Sequence, residues 1–381
     1  MKKILVVHNK YRETGGEDLV VDKEVDLLKE KYIVETLYFD NEINNYIKQF
    51  IYFLLNNNFS SNKKILQKIN SFNPDLVYFH NSWFKISLGI FKILIKKKIK
   101  IIIKIHNFRY FCTKSYFARN HVNKYQTCNA CGFVNKKNMF NKYYKDSFLK
   151  SLLVNYYGKK YFKLLNNQSI QKVVLTNFHK KFLVNLGFSS REIHIIPNYI
   201  NASDDVFKIE KKNTITYAGR ISYEKGVKEL IQSFLNAKLD NFTLQLIGDG
   251  PELKYLKKQY ENYNIKFLGQ KNHKEVIKII KSSSLVVTAT KLFEGQPTLL
   301  CEASINKIPA LFPDSGGIRE FFPEKNPMIF KQFDYVDLEK KLQSVIYGNQ
   351  LTDIGKENYE FIRQFLDKNK IFNQFEKCFN E

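Results

Sequence analysis

Four times between Thr214 and Phe322 the chain passes from a short apolar, β-branched segment through a glycine-bearing turn into helical periodicity. The segments are TITYAG from Thr214, LQLIGDG from Leu244, LVVTAT from Leu285 and ALFPDSGG from Ala310. Apolar runs without polar alternation read as strands buried on both faces, the mark of a parallel sheet with helices on either side. Such a chain presents its strand-to-helix turns along one edge of a doubly wound sheet, and ligands bind at that edge. The fold class is therefore α/β.

The third corner is the richest in chemistry. Between the strand at Leu285 and the helix that follows lie Glu294, Gly295, Gln296 and Pro297. Proline suits a first helical turn, where its missing N–H has no intrahelical partner. The free N–H groups around Gly295 and Thr298 then point above the strand end and favour an anionic or hydroxyl-rich ligand. Glu294 stands at the rim, and Glu302 lies inside the helix. At the first corner, Arg220 and Lys225 follow Gly219 on one loop. Exposed, solvated side chains are the default reading for all four charged residues taken singly; their gathering at two corners of one sheet edge argues for a site.

Glu294, seven residues and Glu302, preceded by Ala218-Gly219-Arg220, Lys225-Gly226 and Gly248-Asp249-Gly250-Pro251, resemble the retaining glycosyltransferases of the GT-B fold, in particular the large family 4. One departure is Pro297, where members often carry a second glycine. The resemblance implies two Rossmann-like doubly wound domains facing a deep interdomain cleft. It assigns Glu294 to the donor sugar, Glu302 to the ribose hydroxyls, Gly248, Asp249 and Gly250 to the nucleoside, and the backbone around Leu268 to the base. A departing nucleoside diphosphate needs a preorganised counter-charge. No Asp-x-Asp metal tripeptide occurs in the sequence, so Arg220 and Lys225, helped by N–H groups from Gly295 to Thr298, are expected to supply it without a catalytic metal. Family members place a glycine loop after the first strand, here Gly15-Gly16, and a histidine at a strand end beside the reacting sugar, here His106. Read alone, the first is an ordinary turn and the second a structural histidine.

The length of 381 residues favours two domains. The N-terminal acceptor-binding domain is expected over 1–198, the donor-binding domain over 199–357, and a final helix near 358–381 returning to the first. The apolar stretch from Ile86 to Ile105 is broken by six lysines, so no membrane span is expected. MKKILVVH reads as a first strand rather than a secretory signal, and a cytoplasmic protein is inferred. Asp22, Glu24 and Asp26 read as the solvated side of the helix that follows.

The formal charge of +24 is unevenly spread. Residues 1–198 hold 34 Lys and Arg against 13 Asp and Glu, the remainder 27 against 24. A lysine-biased composition accounts for an excess but not for its concentration in one half. A basic, aromatic-rich half suits an anionic membrane surface, and the long basic and aromatic segment from Asn138 to Leu165 is the expected contact helix, with a core helix whose lysines snorkel as the plainer reading. Cys112, Cys128 and Cys131 offer three zinc ligands, the last two as C-x2-C, or a set of reduced thiols that pack a loop. Their layout after a His-Asn-aromatic-Arg run resembles a subset of family 4 enzymes of surface-polysaccharide assembly. The implied partners are a nucleotide-sugar donor, a saccharide or polyprenyl-pyrophosphate-linked acceptor and the inner face of the plasma membrane.

Two rivals belong to other classes. A basic zinc-knuckle nucleic-acid-binding protein explains charge and cysteines but leaves Arg220, Lys225, Glu294 and Glu302 idle. A GT-B sugar-nucleotide epimerase explains those four but not the basic first half. Binding of single-stranded nucleic acid, compared with turnover of a nucleotide sugar, separates them.

Overall fold

The computed structural model describes residues 1–10, 16–40, 45–82, 85–108, 148–200, 210–347 and 350–381. They form two compact units, each around a six-stranded parallel sheet. Residues up to Tyr199 together with Lys368–Glu381 make the first, and Ile200–Asp367 the second.

In the first unit the strands are β1 (Lys3–Lys10), β2 (Ile33–Asp40), β3 (Leu76–Phe79), β4 (Lys100–Ile105), β5 (Ile170–Val174) and β6 (Ile193–Ile195), in the order β2-β1-β3-β4-β5-β6. Helices α1 (Gly16–Lys29), α2 (Tyr46–Leu55), α3 (Phe59–Phe72), α4 (Gly89–Lys96), α5 (Phe148–Leu165) and α6 (Asn177–Asn185) connect them. Strands β1, β3 and β4 are central and buried along nearly their whole length, which their unbroken runs of Val, Ile, Leu and Phe require. Helix ends follow local chemistry: Asn58 caps α3 through Ser61, and Asn73 stops it in the left-handed conformation just before Pro74. The register pairs Val7 with Phe79 and Phe79 with Ile103. His8, His80 and Lys104 are therefore level at the carboxyl ends of the three central strands, and His106 lies two residues further on.

The second unit contains β7 (Thr214–Ala218), β8 (Thr243–Ile247), β9 (Ile265–Gly269), β10 (Leu285–Val287), β11 (Ala310–Asp314) and β12 (Ile329–Lys331), ordered β12-β11-β10-β7-β8-β9. Its helices are α7 (Val227–Asn236), α8 (Leu253–Tyr260), α9 (His273–Ser282), α10 (Thr298–Ile305), α11 (Tyr335–Tyr347) and α12 (Leu351–Phe365). From β7 the chain winds outward through β8 and β9, then returns to lay β10 on the other side of β7. The connections change direction between β7 and β10, as they do in the first sheet between β1 and β3. Crevices at such switch points are where open α/β sheets bind ligands.

One expectation is corrected. The return of the chain to the first unit falls at Lys368 rather than near residue 358. Phe361 and Phe365 stack on each other, with Phe365 edge-on to Phe321 of the second unit. The final helix α13 (Lys368–Asn380) sets Phe375 and Phe379 against Tyr78 of the first. The described part of the basic, aromatic segment, α5, turns Tyr157, Tyr161 and Leu165 inward, all buried, and Tyr161 hydrogen-bonds Ser82. One face of α5 is thus core, while Leu149 and Tyr156 on the same helix are exposed at 58% and 42%; residues 138–147 lie outside the described residues.

Candidate active site

In the second unit the first and third corners meet at the switch point. Chain leaving β7 passes through exposed Gly219 and Arg220, then a single 3-10 turn, Tyr223–Lys225. Gly226 closes that turn with φ of 67°, and a Cβ there would lie 2.0 Å from the Ala289 carbonyl oxygen. Only glycine lets the turn press so closely onto the end of β10. Lys225 is thereby brought to Glu294: its Nζ lies 2.6 Å from Oε1, and the Thr290 hydroxyl donates to the same oxygen at 3.0 Å. Both partners are about three-quarters buried, at 28% and 24% exposure. The fourth corner supports the third: Gly317 N–H donates to the Glu294 carbonyl at 2.9 Å, and Gly316, with φ of 61°, approaches so closely that a Cβ would sit 2.4 Å from that oxygen. The Arg220 guanidinium makes no hydrogen bond or ion pair among the described residues and stands exposed at the same edge.

Lys291, not singled out in the sequence, locks this corner. Its ammonium is 2.6 Å from Glu229 Oε1 and 3.4 Å from the Tyr223 ring centroid, while its N–H donates to the Glu224 carbonyl. The turn that carries Lys225 is thus tied at side chain and backbone to the segment that carries Glu294. Its position directly after a strand end, in TATKLFE, was the available signal.

Pro297 is the N-cap of α10 rather than part of its first turn, and it offers no side-chain cap. The first intrahelical bond runs from Cys301 N–H to the Pro297 carbonyl, so the first-turn N–H groups from Thr298 on have no intrahelical acceptor. Gly295, Gln296 and Pro297 are buried beneath them. Gln296 hydrogen-bonds the thiol of Cys301, which burial and neighbouring Glu302 push well above its ordinary pKa. Glu302 is 7% exposed, and His273, the first residue of α9, lies with Nε2 2.6 Å from Glu302 Oε1. His273 was not anticipated: it stands 29 residues away and only the fold joins the pair.

Gly248, Asp249 and Gly250 form a turn bonded to its neighbours through the backbone. Gly248 N–H donates to the Gly269 carbonyl beside Leu268, and the Asp249 carbonyl accepts from Ile221 N–H. The Asp249 carboxylate accepts from Gly250 N–H at 2.6 Å, which braces the turn. The corners with Arg220, Gly248 and Leu268 therefore form one continuous edge.

The first unit gathers a second polar cluster at its own switch point. Buried His8 pairs with Asp18 at 2.7 Å. Glu24, at 2% exposure, holds the Tyr78 hydroxyl at 2.7 Å and the ammonium of fully buried Lys104. This corrects the reading of Glu24 as solvated; Asp26, at 78% exposure, does fit that reading. His80 Nδ1 lies 2.9 Å from His106 Nε2 with the rings stacked. His80 Nε2 is buried, has no hydrogen-bond partner among the described residues, and faces Glu24 Oε1 at 3.8 Å. A proton on that nitrogen meets a carboxylate, whereas a bare lone pair would be repelled by it. His80 Nδ1 then accepts from His106 Nε2–H, which leaves His106 Nδ1 as an acceptor. Gly16 opens α1, and a Cβ added to it would meet nothing within 4 Å. Gly15, Cys112, Cys128 and Cys131 lie outside the described residues.

Burial, with Lys104 and neighbouring histidines as further causes, holds His80 and His106 well below their ordinary pKa, and burial brings His179 down to about 3. In the unfolded chain these rings take a proton near pH 6.5 and in the folded chain they resist it, so unfolding binds protons below that point. The melting temperature is expected to hold above about pH 6.5 and to fall steadily from there toward about pH 3, beyond what a His179→Phe variant shows. Thermal unfolding across that range checks it; a melting temperature independent of pH would contradict it.

Residues 200–361 match the family model described as glycosyl transferases group 1. The amylovoran biosynthesis glycosyltransferase AmsD of Erwinia amylovora is 27% identical over 151 residues, 37% of this chain and 42% of that protein. The O-antigen biosynthesis glycosyltransferase WbnH of Escherichia coli is 27% identical over 188 residues, 49% of this chain and 53% of that protein. The chain thus spans about half the length of the curated relatives it matches. Among solved structures, HepE of Anabaena in complex with UDP and glucose aligns over 100% of both chains with a TM-score of 0.70 at 14% identity. Sucrose-phosphate synthase from Thermosynechococcus elongatus aligns over 100% of this chain and 98% of its own, with a TM-score of 0.71 at 13% identity. At those identities the likeness is one of fold. Residues 200–361 thus match the model of the glycosyl transferases group 1 family, in a chain of GT-B fold.

Proposed function

We propose that this chain is a retaining, family 4 glycosyltransferase. It moves a hexose-type sugar from a UDP- or GDP-sugar to a lipid-linked or saccharide acceptor in the biosynthesis of a surface polysaccharide such as capsule, O-antigen or exopolysaccharide. The observation that supports it most is the Lys225–Glu294 contact at the β7/β10 switch point, with the free guanidinium of Arg220 on the same loop. Breaking the bond between the anomeric carbon and the phosphate leaves a negative charge on the diphosphate; Arg220, Lys225 and the open first-turn N–H groups of α10 stabilise it in place of a metal. The acceptor hydroxyl oxygen forms the new bond on the same face of the sugar, and its proton passes to the departing phosphate. Glu294 orients the sugar, Glu302 held by His273 takes the ribose, and the Gly248–Gly250 turn and Leu268 border the nucleoside. His106 Nδ1 accepts from a sugar hydroxyl at the end of β4.

Incubation with a panel of UDP- and GDP-sugars, with and without lipid-linked acceptors, tests the reading through release of the nucleoside diphosphate. Release from at least one donor, undiminished by a chelator, is expected. Tight binding of single-stranded nucleic acid at physiological salt, with no donor turned over, would replace it by the nucleic-acid reading.

A further inference from the structure

Helix α2 breaks the usual rule for a helix on a protein surface. Ile47, Phe50, Ile51, Leu54 and Leu55 fall at i, i+3, i+4, i+7 and i+8, one continuous stripe. That stripe points outward. Exposure runs from 43% at Phe50 to 76% at Ile47, and Phe59, which opens α3, adds a further ring at 56%. What ties α2 to the body lies elsewhere on it: Phe53 stacks on Tyr157 of α5 at 5.3 Å, and the Asn56 carbonyl accepts from Gly89 N–H at the start of α4. Well-defined ends confirm that the stripe belongs to a formed helix, with Asn45 capping Lys48 N–H and Asn56 left-handed at the other end.

The charge around the stripe names the occupant. From Ile43 to Lys98, which covers α2 and the helices α3 and α4, the sequence has one acidic residue, Asp75, against nine lysines. On the helices adjoining α2, Lys63, Lys64, Lys92 and Lys96 are exposed, and Lys160 of α5 lies over exposed Tyr156 at 4.0 Å. A partner must take in large aliphatic and aromatic side chains and also present negative charge around them. A second copy of this chain would set its own lysines against these, because a two-fold contact pairs like surfaces. Nucleic acid would meet the lysines but leave the aliphatic stripe in water. A bilayer with anionic headgroups meets both demands, with a short amphipathic helix lying in its plane.

We infer that α2, with Phe59, is the face by which this protein lies on an anionic phospholipid surface, Ile47, Phe50, Ile51, Leu54 and Leu55 entering the headgroup–acyl boundary and the neighbouring lysines meeting the headgroups. It extends the reading above, in which the acceptor is carried on a lipid, and assigns a membrane contact to α2 besides the segment ending in α5. No helix among the described residues is long and apolar enough to cross a membrane, so the attachment is by one face.

Flotation with phosphatidylcholine vesicles, with and without phosphatidylglycerol, tests it without any measurement of transfer. The full chain is expected to float with the anionic vesicles and only weakly with the neutral ones, and added salt should weaken the binding. Ile51→Glu/Leu55→Glu should bind at least about tenfold less while keeping the same circular dichroism, melting temperature and release of nucleoside diphosphate from a soluble donor. Undiminished flotation of that variant would overturn the proposal, as would absence of the wild type from the vesicle layer. A change from dimer to monomer in the variant with no change in flotation would assign the face to a second copy instead. Flotation without turnover of any donor would leave this surface in place and remove the enzymatic reading.

Discussion

Lys225→Ala and Glu294→Ala are each expected to lower sugar transfer by about 10²–10³-fold, the loss typical when one preorganised charge or hydrogen-bonding group leaves a transition state. Transfer should fall while the fold survives. The pair is partly open to water at 28% and 24% exposure, and ion pairs of that kind contribute little to stability. Glu294→Gln is the sharper variant, because it keeps the size and the bond from Thr290 but removes the charge opposite Lys225. If the carboxylate orients the sugar, the amide variant should retain donor binding and lose rate. Steady-state rates beside melting temperatures check this; full activity in either alanine variant would remove that residue from the assignment.

Glu24→Leu is expected to cost about 3–5 kcal/mol, the penalty for leaving a buried charge without its partner. Lys104 and Tyr78 both lose their acceptor in that variant, and Lys104 is fully buried, with burial already pushing its pKa down. Such a loss is a large part of the stability a domain has. Glu24→Gln/Lys104→Met should recover most of it, since the amide still accepts from Tyr78 and no charge stays buried. Chemical denaturation of the three chains checks the order, and a Glu24→Leu midpoint equal to the wild type would contradict it. His106 should also respond: with Glu24 gone, nothing selects the Nε2–H tautomer of His80, and nitrogen chemical shifts of the His106 ring would report the change.

The corners at β7, β8 and β11 could be read from sequence because their strands are short, apolar and followed within two residues by glycine; at β10 the glycine comes only at Gly295, and the strand ends at Val287. Glu294 and Lys225 could be assigned to one sheet edge from their places at the third and first corners, although the 2.6 Å contact itself needed the fold. The second cluster was less legible. Glu24 lies four residues from both Val20 and Leu28, so its spacing already put it on the apolar face of α1, but a lone carboxylate reads as solvent-facing until a buried cation is known to stand opposite. Lys104 comes 80 residues later inside an isoleucine run, where nothing local marks it as a partner. The same holds for His273 and Glu302. The outward stripe of α2 was hidden for the opposite reason: apolar helical spacing ordinarily means core, and only exposure in the fold separates a core face from one awaiting a surface.

At the centre of the proposed function stands the seating of a nucleoside diphosphate at the β7/β10 switch point by Arg220 and Lys225. Calorimetric titration with UDP and GDP, wild type beside Arg220→Ala/Lys225→Ala, measures it directly. Saturable binding of one nucleotide that weakens by about a hundredfold in the double variant is the predicted result; equal affinity in both proteins would contradict it.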